Sequence, residues 1–158
     1  MSLQLSTRSR YGVRMMTALA LNWGKGPSLL RDVSRGEDIS EKYLGQIVIP
    51  LKASGLVVSQ RGSHGGYSLG RAPEAITVKD VVEAIEGAIA PAPCTESPTG
   101  DCGDEDPPGG CERVTECATA RVWRRLRDDI GRTLSAFTLA ELARDARSLR
   151  QTPPDYVI

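Results

Sequence analysis

The sequence predicts a mostly α-helical fold with a small β-hairpin wing: a winged helix-turn-helix unit, then a long C-terminal dimerisation helix. Three observations lead to that expectation. Two short apolar-periodic segments flank a glycine-containing turn within residues 28–51. A glycine-rich hairpin pattern, LVVSQRGSHGGYSL, follows almost at once. Further on, Val122, Leu126, Ile130, Leu134 and Phe137 fall on one stripe at helical spacing. The expected divisions are residues 1–87 for the winged unit, 88–116 for a cysteine-containing loop, 117–150 for the dimerisation helix and a short terminal helix, and 151–158 for a tail.

The first helix is expected over residues 7–22, where Tyr11, Met15, Ala18, Leu19 and Asn22 recur at three-and-four spacing. Gly24, Gly26 and Pro27 end it. Arg8, Arg10 and Arg14 lie on other faces, either as solvated charges or, for Arg8 and Arg10, as phosphate contacts. A short helix capped by Ser28 comes next, over 28–34, then a turn containing Gly36. Ser40 stands where the N-cap of a second helix belongs, which leaves that helix's first turn free to enter a major groove. Leu44, Ile47, Val48 and Leu51 supply its buried stripe. Pro50 lacks an N–H and is expected to interrupt the helix with a kink near Gln46.

Gly55 ends that helix. Residues 56–60 and 67–69 read as strands joined by the turn 61–66. Arg61 is long enough to enter a minor groove, and Gly65 and Gly66 let the backbone approach a sugar-phosphate edge. The same glycines also suit an ordinary tight turn, and His64 reads as a surface loop residue. Thr77 and Asp80 form a capping box for a helix carrying Val81, Val82 and Ile85, which Gly87 closes. From 88 to 110 proline, glycine and acids dominate, with no apolar period. The long helix is expected over 115–136, with Trp123 beside its stripe. A helix of that length cannot bury the stripe against so small a domain, hence the dimer reading. Thr138 and Glu141 form another capping box, opening a helix to about residue 149. The Pro153-Pro154 tail is expected to fray.

The totals narrow the function classes. The 158 residues carry 20 basic and 20 acidic side chains, but unevenly. Residues 1–72 hold ten Lys/Arg against four Asp/Glu, and residues 73–158 hold ten against sixteen. The first half therefore suits phosphates and the second is kept away from them. No run of about 20 apolar residues is present, so no membrane partner is expected. The start lacks an apolar leader, so a cytoplasmic location is expected. No phosphate-binding loop, nucleophile–base pair or cofactor fingerprint occurs, so no enzyme is expected. All four cysteines lie within 24 residues, spaced C-x7-C-x8-C-x5-C. In a reducing compartment they read as metal ligands or redox thiols. Spacing alone leaves zinc and an iron–sulfur cluster both open, although no close zinc knuckle is present.

These segments together resemble the Rrf-two type family of bacterial winged-helix regulators, which has IscR-like, NsrR-like and CymR-like members. The matching stretches are LSTRSRYGVRMM, ISEKYLGQI with PLKASGLV, RGSHGGYSLGR, ITVKDVVEAIEG, the cysteine loop with Trp123 six residues after Cys117, and FTLAEL. They cover roughly residues 3–143. The resemblance implies a homodimer whose long helices cross, binding double-stranded DNA at a palindromic operator. Ser40, Lys42, Tyr43 and Gln46 would face the groove, with Tyr43 equally suited to core packing. Arg61, Gly65 and Gly66 would track the minor groove, and Arg8 the phosphates. Val122, Trp123, Leu126, Ile130 and Leu134 would form the dimer interface.

Several members of the family hold an iron–sulfur cluster that senses iron–sulfur, nitric oxide or redox status, and others lack one. Cluster binders use three cysteines and a fourth residue of another type. Where IscR-like members place His this chain has Ala120, and where NsrR-like members place Asp it has Arg10. The resemblance therefore implies an all-cysteine site of Cys94, Cys102, Cys111 and Cys117, with 2Fe–2S preferred and 4Fe–4S compatible. Cys102 is the addition to the family's pattern. A CymR-like, cluster-free regulator answering to a partner protein or metabolite is the alternative, and a thiol-redox protein a more distant one. Gly45 stands where relatives often carry a Glu that discriminates between operators, so base preference does not carry over.

Overall fold

The computed structural model describes residues 5–62, 65–95 and 116–151. Helix α1, Thr7–Leu21, starts at Ser6, whose hydroxyl accepts the Ser9 N–H at 3.1 Å. Helix α2 spans Leu30–Glu37 and α3 spans Glu41–Ala53. Strands β1, Val57–Gln60, and β2, Gly66–Leu69, pair antiparallel with Val57 opposite Leu69 and Gln60 opposite Gly66. Helix α4 is Val78–Glu86, α5 is Ala120–Ser135 and α6 is Leu139–Gln151. Short 3-10 turns occur at Pro73–Ala75 and Pro93–Thr95. Among the described residues, six helices and a two-stranded hairpin make the winged-helix architecture that the sequence predicts.

The local signals act largely as expected. Thr77 and Asp80 close a full capping box on α4, and Gly87 ends that helix at φ 86°. Thr138 and Glu141 repeat the box on α6, with the Thr138 N–H donating to Glu141 Oε2 at 2.8 Å. After α3, Gly55 turns at φ 73°, the Gly55 N–H donates to Lys52 and the Leu56 N–H donates to Leu51. Those two bonds, with Leu51 and Leu56 both buried, are a Schellman stop.

Four expectations need correction. Ser28 does not cap α2, whose cap position is Leu29 without a side-chain bond. Instead Ser28 and Tyr67 exchange both backbone bonds, at 2.9 and 2.8 Å, as an isolated antiparallel bridge alongside the hairpin. Gly36 lies inside α2, and the reversal before α3 is made by Asp38 in the left-handed region, which a short polar side chain tolerates. Pro50 does not interrupt α3, which runs unbroken from Glu41 to Ala53. The long helix also starts later than expected, at Ala120, because residues 117–119 form a turn in which the Ala120 N–H donates to the Cys117 carbonyl.

The core joins Met15, Met16 and Leu19 of α1, Leu44, Ile47 and Leu51 of α3, Val81 of α4, and Leu139 and Ala143 of α6. The terminal helix thus packs against α1. Residues on either side of α5 are tied together, since Val78 N–H donates to Phe137 and Leu139 N–H donates to Ile76, both at 2.9 Å. α5 itself lies along α4 and the 93–95 turn. Of its residues only Ala120 is fully buried within the chain, while Val122 is 57% and Trp123 37% exposed. No helix among the described residues is long and apolar enough to cross a membrane.

Candidate nucleic-acid interface and cysteine segment

The first turn of α3 is built to be presented. Leu44, Ile47, Val48 and Leu51 pin one face of the helix in the core, so Ser40, Glu41, Lys42 and Gln46 are left exposed on the other. Ser40 accepts the Tyr43 N–H at 3.3 Å, which satisfies one of the donors that a helix start leaves free. Nothing lies within 4 Å of the Cβ that Gly45 lacks, so this part of the helix surface is open. Tyr43 is half-buried, its ring meeting the Tyr11 ring edge-on with centroids 5.7 Å apart. The aromatic face is therefore used for packing α3 on α1.

Arg61 is exposed at the hairpin tip; His64 lies outside the described residues. A Cβ on Gly65 would stand 2.5 Å from the Gln60 carbonyl oxygen, and one on Gly66 2.6 Å from that of Ser28. Both glycines are thus required by the hairpin's own turn and by the Ser28 bridge. Arg8 is exposed, and its Nη2 donates to the Gln46 carbonyl oxygen at 3.3 Å.

Two polar clusters, which no motif announces, hold the helices in place. Glu37 accepts from Arg14 Nε at 3.1 Å and pairs with Arg150 Nη2 at 3.7 Å, joining α2 to α1 and α6. A second Arg14 nitrogen donates to the Glu37 carbonyl. Glu86, at the end of α4, accepts from the Ser6 N–H at 3.3 Å and from the buried Ser9 hydroxyl at 2.6 Å. Hydrogen bonds from Ser6 and Ser9, with a smaller part from the Arg8 charge, hold the Glu86 carboxyl below its ordinary range. No acid lies in the first turn of α1, so Glu86 supplies the negative charge its N-terminus favours.

The cysteine segment is described at its two ends. Cys94 is half-buried in the 93–95 turn, beside Thr95, which is 2% exposed. The Thr95 hydroxyl donates to the Ala92 carbonyl at 2.6 Å, and Arg127 of α5 reaches the Thr95 carbonyl at 3.5 Å. Cys117 precedes α5, with its sulfur 3.1 Å from Thr119 Oγ1. Cys102 and Cys111 lie outside the described residues. Among the described residues no group of three His, Cys, Asp or Glu stands close enough to hold a metal.

Residues 5–145 match the family described as "Rrf2: Iron-dependent Transcriptional regulator". The chain is 38% identical to the HTH-type transcriptional regulator CymR of Bacillus subtilis, over 89% of this chain and 90% of that protein. It is 36% identical to the HTH-type transcriptional regulator IscR of Erwinia tasmaniensis, over 93% and 82%. The solved structure of CymR, the global cysteine regulator of B. subtilis, superposes with a TM-score of 0.70, covering 91% of this chain and 98% of that one at 36% identity. T. potens IscR gives 0.71, covering 98% and 96% at 32% identity. These relatives are transcriptional regulators rather than enzymes.

Proposed function

The chain belongs to the Rrf2 family of DNA-binding transcriptional regulators, and on that premise we propose that it is a homodimer reading a palindromic operator and governed by the segment 94–117. Ser40, Lys42 and Gln46 face the major groove from α3, and Arg61 enters the adjacent minor groove from the wing. The observation that carries this reading is the exposed, Ser40-capped first turn of α3, held from behind by four buried apolar residues. Gly65 and Gly66 shape the wing so that Arg61 stands at its tip. Val122, Trp123, Leu126, Ile130 and Leu134 meet their counterparts in the second copy.

The donor set fits an iron–sulfur centre in kind: four soft thiolates, the first on a turn bonded to α5 and the last at the entrance to that helix. Cys94, Cys102, Cys111 and Cys117 are the residues that would hold it. Bound there, a cluster (2Fe–2S in preference to 4Fe–4S) supplies sensitivity to iron–sulfur, redox or nitric oxide status. The chain's own part is mechanical. Arg127 ties the Cys94 turn to α5, and the Cys117 carbonyl receives the first amide of that helix, so the order of the segment bears on the helix that spaces the two reading heads. A coupling of about 1–3 kcal/mol corresponds to roughly 5- to 150-fold in operator affinity.

Anaerobic purification followed by iron, sulfide and spectral analysis tests this, on the wild type and on each cysteine changed to Ser. The expected result is a coloured, iron-containing wild type and loss of the spectrum in all four variants. Retention of the spectrum by Cys102→Ser alone removes Cys102 from the ligand set. A colourless, iron-free protein that binds its operator at full strength favours the second reading, a cluster-free regulator answering to a partner protein or metabolite. The likeness to B. subtilis CymR supports that second reading.

A further inference from the structure

In a regular helix the N–H of residue 50 would donate to the carbonyl of residue 46; Pro50 has none, so α3 leaves the Gln46 carbonyl without its helical partner. The gap falls behind the exposed first turn, at the point where a helix missing a bond bends most easily. Arg8 fills it from another helix. Its Nη2 stands 3.3 Å from that carbonyl oxygen. Arg8 lies in the first turn of α1, a helix anchored by Met15 and Met16, both fully buried. On its other side Arg8 is close enough to Glu86 for its charge to act on that carboxylate.

We propose that Arg8 is a positioning residue for DNA reading: it replaces the hydrogen bond that Pro50 cannot make and fixes the tilt of the N-terminal half of α3 against α1. This rests on the DNA-binding reading above, but it assigns Arg8 a task different from phosphate neutralisation. The two tasks leave different marks. A phosphate contact releases a counterion, so losing it lowers the slope of log K against log salt by about 0.9 per contact. A positioning bond changes affinity and leaves that slope alone. Pro50→Ala supplies the missing N–H and makes Arg8 redundant, a coupling that a phosphate contact does not have.

The test uses the full-length protein as wild type, Arg8→Met, Pro50→Ala and the double variant. Each is titrated at several salt concentrations with a duplex that the wild type has selected from a random pool. The expected result is that Arg8→Met weakens binding roughly tenfold with an unchanged salt slope, and that the same change in the Pro50→Ala protein weakens it less than about twofold. Thermal unfolding gives a reading independent of DNA: Arg8→Met lowers the midpoint by roughly 2–4 °C with Pro50 present and leaves it unmoved in the Pro50→Ala background. A slope reduced by about one, an equal loss in both backgrounds, or no loss in either overturns the proposal. If the wild type selects no duplex, the DNA-binding reading fails, and the unfolding cycle still decides whether Arg8 and Pro50 are coupled.

Discussion

The Tyr43 ring meets the Tyr11 ring edge-on, at 83° with centroids 5.7 Å apart, while the Arg14 guanidinium lies 5.5 Å from the centre of the Tyr11 ring. This places a residue of the presented α3 turn in contact with α1, so its ring and its hydroxyl have separate tasks. Tyr43→Phe keeps the ring and is expected to hold stability and operator affinity within about twofold. Tyr43→Ala loses the aromatic pair and the area around it, about 2 kcal/mol in a urea titration. A tenfold loss of affinity in Tyr43→Phe at unchanged stability would make the hydroxyl a groove contact instead.

Glu37 is the point at which three helices are joined. Its side chain is 15% exposed, against 46% for Arg14 and 63% for Arg150. Because both arginines are well solvated, most of their Coulombic attraction is screened, and the shielded carboxylate contributes chiefly through hydrogen bonding. Glu37→Gln is expected to cost about 1 kcal/mol, a fall of roughly 2–4 °C in the unfolding midpoint. In a cycle with Arg14→Met the two losses should overlap rather than add. Full additivity would mean that the pair carries no coupling.

The elements that could be read from sequence are those written in local chemistry. Ser40, Thr77 and Thr138 each face a backbone amide three residues away, so their capping needs no knowledge of the rest of the chain. Leu44, Ile47, Val48 and Leu51 were readable for the same reason, since a helix stripe is a spacing. What sequence missed is contact between distant segments. Ser28 has the composition of a cap, but the bridge to Tyr67, 39 positions away, takes its backbone first. Glu37 with Arg150, Glu86 with Ser9 and Arg8 with Gln46 are pairs that no periodicity marks. Leu139 and Ala143 read as part of a short terminal helix, with nothing to say that they enter the same core as Met15. The cysteine pattern is ambiguous for a different reason: thiolate donors suit zinc and iron–sulfur centres alike.

Glu86 makes stability depend on pH in a defined direction. Ser6 and Ser9 hydrogen bonds lower its pKa in the folded chain from an ordinary value of 4.5. A carboxyl whose folded pKa is depressed contributes fully above its unfolded pKa and loses that contribution as pH falls through the folded value. The stability difference between wild type and Glu86→Gln should therefore be constant at neutral pH and shrink below about pH 4.5. Urea titrations across that range check it. A difference that grows as the pH falls would show that the carboxylate is not the form the serines stabilise.

The apolar stripe of α5 supplies the last test, because its most exposed members are dispensable to the isolated fold. Val122 is 57% exposed and Trp123 37%, whereas Leu126, Ile130 and Leu134 are half-buried within the chain. A charge at Val122 costs the monomer little, since the side chain already faces water. At a dimer interface it must be desolvated without a partner. Val122→Glu is therefore expected to sediment as a monomer at micromolar concentration while keeping its helical circular-dichroism signal. Two linked reading heads gain about 10²- to 10⁴-fold over one through effective concentration. The variant should accordingly lose at least about a hundredfold on a palindromic duplex and almost nothing on a half-site. A Val122→Glu protein that remains dimeric and retains the palindrome preference would move the interface to another face of the molecule.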